Sequence, residues 1–207
     1  MFVVGIRLLC SSKPDNLKDY YKSWATREFQ SPKLSSDIAD LIADYGQLAA
    51  VRKNELETPT IYSSINYREA DTITARWSAL AAKAESLGKQ VPSATYNTFF
   101  QVLQHPVVAS ANLRVMYTAA KRNQDLASQA SGGANAYAKL VETAFDKDWE
   151  LRDKYHKING GKWKYVPRNP IVFSRLTLYQ PHDGPNARRI LLLAAAACGH
   201  DAARMEG

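Results

Sequence analysis

Apolar positions recur every three to four residues over most of this chain, the period of helices that bury one face. The first run predicts a helix starting at Asp15, whose carboxylate can accept from the free N–H groups of the first turn. Leu17, Tyr20, Tyr21, Trp24, Ala25 and Phe29 line one side of it. Ser31, Pro32, Ser35 and Ser36 break it. A second helix from Ser36 carries Ile38, Leu41, Ile42, Tyr45, Leu48 and Ala49 at buried spacings. Asp37 and Asp40 sit near its positive end, and Arg52 and Lys53 at the other. Residues 54–64, with Pro59, read as a connection.

A third helix is predicted from Tyr67 to Leu87, with Ala70, Ile73, Trp77, Leu80, Ala81 and Ala84 inward and Gly88 as its stop. The fourth segment, 94–130, holds Phe99, Phe100, Val102, Leu103, Val107, Val108, Leu113, Met116, Tyr117, Ala120 and Leu126. Pro106 lies inside it, lacks an N–H and crowds the carbonyl four residues earlier, so a kink or break is expected near His105. After Ser131-Gly132-Gly133 a fifth helix, 134–158, presents Tyr137, Leu140, Val141, Ala144, Phe145, Leu151 and Tyr155. Asn159-Gly160-Gly161 ends it. Five helices on short turns predict an all-α fold, an antiparallel bundle over 15–163. Residues 1–14 are an N-terminal extension and 164–207 an irregular, weakly ordered tail, with a strand-like run at 171–178 and a short helix at 186–197.

Composition narrows the function classes. The 207 residues are 45% apolar and 23% charged, an ordinary globular balance that excludes wholesale disorder. Cys10 and Cys198 lie near opposite ends, which excludes a zinc site or a CxxC pair and predicts unpaired thiols. The longest apolar runs, at 1–10 and 190–198, are shorter than the ~20 residues a membrane span needs. The first lacks the basic start and cleavage site of a signal peptide. Of the net charge of +7, +4 falls on 1–163 and +3 on the last 44 residues. That thin spread, with no basic stripe beside aromatics, argues against nucleic acid as a partner.

The sequence offers little catalytic chemistry. His105, His156, His182 and His200 have no ligand partner at helical spacing. His105 reads as a helix residue beside a proline, and His156 as a cation at a helix C-terminus. Asp37, Asp40 and Asp44 share one helix face, the solvated side opposite Ile38, Leu41 and Ile42. No GxGxxG, GxxxxGK[ST], HExxH or GxSxG motif occurs. No catalytic residue, metal ligand or cofactor site is predicted.

Several stretches in fixed order carry a resemblance. They are Asp15-Asn16-Leu17, Trp24 to Phe29, Tyr45-Gly46-Gln47-Leu48, Arg52-Lys53, Glu55-Leu56 and Asn66-Tyr67-Arg68-Glu69-Ala70. Phe99-Phe100-Gln101, Pro106-Val107, Ala109 to Leu113, and Gly160-Gly161-Lys162-Trp163 complete the set. Together they resemble the segment after the catalytic barrel in glycoside hydrolase family 115, over about Asp15 to Trp163. That family's α-glucuronidases remove glucuronic acid or its 4-O-methyl ether from xylan with inversion, and members are commonly secreted. The resemblance implies an α/β domain, a (β/α)₈ barrel, a helical bundle and a β-sandwich. It also implies an acid and a base about 6.5 to 9.5 Å apart, supplied by the barrel and the domain before it. The chain begins after those groups, and its tail from Lys164 departs from the family pattern.

The expected function is that of a helical accessory domain of such an enzyme, a partial hydrolase without its own catalytic site. The alternative is a stand-alone helical interaction module for a protein or polysaccharide. Asn66, Tyr67 and Arg68 are the candidates for contact with another domain, because a polar Asn-Tyr-Arg set opening a helix suits a bundle core poorly. A solvated, capping helix start is the competing reading. Expected partners are the barrel of a parent hydrolase or a second copy meeting an exposed apolar face; neither a membrane nor nucleic acid is expected.

Overall fold

Asn16 starts the first helix: its side-chain oxygen accepts from the Lys18 N–H at 3.0 Å. The structure, a computed structural model, describes residues 16–164 with their side chains, and the backbone of 176–179 and 189–192. Asp15, expected as the cap, lies outside the described residues, as do Cys10, Cys198, His182 and His200. Among the described residues six α-helices follow in chain order: α1 Leu17–Phe29, α2 Ser35–Val51, α3 Glu69–Gly88, α4 Ser93–Phe99, α5 His105–Ser128 and α6 Ala134–Lys157. The fourth and fifth form one run through a π-helical turn, Phe100–Gln104, so the chain builds the five helical segments of an all-α bundle. Among the described helices none is long and apolar enough to cross a membrane.

That π-turn answers the expected kink. The His105 N–H donates to the Phe100 carbonyl, five residues back. The wider loop makes room for the Pro106 ring where an α-helical ladder would set a carbonyl against it. Two other boundaries differ from expectation. α2 begins at Ser35 after a 3₁₀ turn at Pro32–Leu34, with no side-chain cap, and the Ser35 hydroxyl donates to the Pro32 carbonyl. Gly88 does end α3, but not through left-handed backbone: a side chain there would run into the buried Gln104 amide oxygen.

The chain divides into two compact units, and the division passes through α3 and α5. In the first, described over 16–56 and Arg76–Ala111, Phe29 is fully buried. It packs edge to face on Trp24 and Phe99, with ring centroids 5.3 and 5.4 Å away. Thr95 donates its hydroxyl to the Phe29 carbonyl at 3.1 Å, satisfying a backbone group at the α1 C-terminus. Trp77 sits against Tyr45 in the same way. The acidic face of α2 is solvated, as its spacing suggests, with Asp40 paired to Lys18 and Asp44 to Lys83.

In the second unit, described over 57–75 and 112–164 together with the two strands, Leu113, Met116, Tyr117, Ala119 and Ala120 of α5 meet Ala138, Val141 and Ala144 of α6. The alanines let the helices approach closely, and two buried amides cross between them: Asn112 donates to the Ala144 carbonyl and Asn123 to the Ala134 carbonyl. Leu140, expected inward, is exposed, as are Leu17 and Val102 in the first unit. The strands β1 Leu176–Tyr179 and β2 Arg189–Leu192 pair antiparallel, Leu176 opposite Leu192 and Tyr179 opposite Arg189. β1 overlaps the strand-like run. β2 replaces part of the helix expected at 186–197, with the backbone of Ile190 in register with Leu178.

Candidate docking site

The strongest departure from ordinary backbone lies just before α3. Expected as its first turn, Asn66–Arg68 forms a 3₁₀ turn in which Tyr67 and Arg68 both adopt left-handed conformations, with φ of 54° and 52°. For a non-glycine residue that region costs roughly 1–2 kcal/mol. Gln30, Ala130 and Asn159 also have positive φ, but each sits at the C-terminal end of a helix, where a left-handed residue closes the last turn. Tyr67 and Arg68 stand at a helix start, where capping calls for no such residue.

Neighbouring groups hold the turn. Ser63 acts at a distance as the cap: its hydroxyl accepts from the Ile65 and Asn66 N–H groups at 3.2 and 2.8 Å. Its own N–H donates to the Glu69 carboxylate at 3.0 Å, and its carbonyl accepts from the Ala70 N–H. This reciprocal Ser–Glu arrangement is a capping box stretched around an inserted turn. What the turn displays is apolar and aromatic: Ile65 is 85% exposed and Tyr67 fully exposed.

Charged groups tie the turn to the rest of its unit. Arg68 reaches Asp71 through Nε at 3.4 Å, and the other oxygen of Asp71 accepts from Arg122. Arg122 also donates to the Tyr137 hydroxyl at 3.1 Å and lies over that ring. Burial alone would raise the Asp71 pKa, but the hydrogen bonds and charges of Arg122 and Arg68 outweigh it and hold it below the usual carboxylate value. Ser64 donates to Asp125, which Lys121 also contacts.

At the other end of this connection Glu57 is fastened to Arg114 at 3.4 Å, with side chains only 2% and 1% exposed. Burial and the Glu57 charge push the Tyr117 hydroxyl up to about 12. Glu57, Tyr62, Ser64, Tyr117 and Lys121 enclose a small crevice of about 10 Å³, too small for a ligand.

The structure thus brings Tyr67 to the surface, with Arg68 beside it, on a braced turn. The backbone of Asn66 belongs to the Ser63 cap. The Asp71–Arg122–Tyr137 bracket was missed by sequence reasoning: the partners lie 51 and 15 residues apart on three helices, and no local spacing signals them. His105, read as a helix residue beside a proline, is buried against Phe100, and that burial lowers its pKa to about 4. His156 lies in the last turn of α6. Among the described residues no group of three or more His, Cys, Asp or Glu could hold a metal ion. The chain matches no family model and no curated protein.

Proposed function

We propose that this chain is a helical accessory domain of the kind that follows the barrel in family 115 α-glucuronidases, a partial hydrolase that braces a catalytic barrel and does no chemistry itself. The observation that carries the reading is the turn at 65–68. Two adjacent left-handed non-glycine residues, inside a capping box stretched beyond its usual span, project Tyr67 into solvent. Such strain persists where surroundings enforce it and tends to mark functional surface. Here the enforcing groups are Ser63, Glu69 and Asp71.

The ordered resemblance from Asp15 to Trp163 supplies the partner, a glucuronidase barrel, and Asn66, Tyr67 and Arg68 belong to one of its stretches. The braced turn suits contact with a rigid surface, since little conformational freedom is left to lose on docking. Two assays test the reading. The purified chain alone, incubated with glucuronoxylan, releases no uronic acid. Titrated into a family 115 barrel produced without its helical bundle, it binds saturably at one-to-one stoichiometry. Robust release by the chain alone, or no binding to the barrel, overturns the proposal.

A further inference from the structure

One buried hydroxyl in the second unit faces the small crevice with no protein group to bond. The crevice walls come from the connection, through Glu57, Tyr62 and Ser64, and from α5, through Tyr117, Thr118 and Lys121. Most of these polar groups are committed within the protein. Glu57 pairs with Arg114, Ser64 and Lys121 both contact Asp125, and Thr118 shares a hydroxyl–hydroxyl bond of 2.9 Å with Thr74. Tyr117 differs: it is only 5% exposed, yet among the described residues nothing hydrogen-bonds its hydroxyl. Burial and the charge of Glu57 push its pKa up to about 12, and neither influence is a hydrogen bond. A buried hydroxyl left without any partner is costly enough to be rare.

We infer that the crevice binds one water molecule, which accepts from the Tyr117 hydroxyl and donates to the Glu57 carboxylate. Size selects a single water. The crevice leaves about 10 Å³ for the centre of a water molecule. A sphere of that volume is about 2.7 Å across, and two hydrogen-bonded oxygens stand about 2.8 Å apart, so a second water has no room. Chemistry selects water over an ion. The occupant has to accept from a phenol and donate to a carboxylate at once, which water does. An anion would stand against Glu57, and a cation would meet the Lys121 ammonium in the wall and a carboxylate already paired with Arg114. The hydroxyl oxygens of Ser64 and Thr118 keep acceptor capacity for the second hydrogen of the water. The water thus joins the Glu57–Arg114 and Ser64–Asp125 contacts in fastening the connection to α5. The site lies within one unit and holds whether or not the chain docks on a barrel.

The full chain and its Tyr117→Phe variant are crystallised, their structures determined at a resolution that orders waters, and both are melted in solution. The parent chain shows one water oxygen in the crevice, about 2.6–3.2 Å from the Tyr117 hydroxyl and from a Glu57 carboxylate oxygen. In Tyr117→Phe that density is lost or weakened, and the melting temperature falls by roughly 2–4 °C, because a bonded hydroxyl has been removed. A hydroxyl with no partner gives the opposite sign, since phenylalanine then deletes an unsatisfied group and the chain melts higher. An empty crevice, density with the contacts of an ion, water density unchanged in Tyr117→Phe, or a melting temperature for that variant equal to or above the parent's overturns the site.

Discussion

At the residue scale, Tyr67 and Ala130 form a natural pair. Both have φ near 53°, but Ala130 closes α5, where the Ser131 N–H reaches back to the Leu126 carbonyl, and Tyr67 stands before α3. Glycine relieves the left-handed strain at either position, partly offset by its greater freedom in the unfolded chain. Ala130→Gly and Tyr67→Gly are each expected to stabilise the fold by up to about 1 kcal/mol, or about 2–4 °C in melting temperature. Only Tyr67→Gly should cost barrel binding. A lower melting temperature for Tyr67→Gly would mean that the tyrosine stabilises the chain, which removes the case for a functional role.

His105 and Asp71 act in separate pH windows. Burial lowers the folded pKa of His105 to about 4, against 6.5 for an ordinary histidine. Between those values the unfolded chain takes up a proton that the folded chain refuses, so stability falls as pH falls from about 6.5 to about 4. His105→Gln flattens that part of a plot of melting temperature against pH. The folded pKa of Asp71 is depressed instead, so its contribution is present above the ordinary value of 3.8 and is lost as pH falls further. Asp71→Asn flattens only this lower window. Unchanged slopes in both variants would contradict the burial of His105 and the Arg122–Asp71 contact.

At the scale of elements, the connection 57–68 hangs on the buried Glu57–Arg114 pair. Removing one partner strands a charge in the interior, so Glu57→Ala costs about 3–5 kcal/mol, seen as a melting temperature roughly 10 °C lower. The paired replacement Glu57→Leu with Arg114→Met costs less than Glu57→Ala, because no charge is left behind. A Glu57→Ala melting temperature equal to the parent's would show that the pair does not anchor the connection.

The helices were legible in the sequence because a 3.6-residue apolar period survives any detail of packing: Ile73, Trp77, Leu80 and Ala84 are buried as the spacing requires. Boundaries were less so. The Pro106 clash appears as a π-turn upstream of the proline, and Gly88 lies against the end of the Gln104 side chain, which a Cβ there would displace. Asn66, Tyr67 and Arg68 could be singled out as a polar set poorly suited to a core. Their left-handed backbone could not be foreseen, since Tyr and Arg are not residues that favour it, and the Ser63–Glu69 cap that imposes it spans six positions instead of the usual three.

At the scale of the molecule, the described residues form two compact units, one of which carries the exposed turn at 65–68. The proposed role, completing a hydrolase without catalysing, is checked by complementation. A family 115 barrel made without its bundle is assayed for uronic acid release from glucuronoxylan, alone and with the purified chain added. The account predicts no release by the chain alone, and release by the mixture well above that of the barrel, rising with chain concentration to a plateau. Release by the chain alone, or a mixture no more active than the barrel, would contradict it.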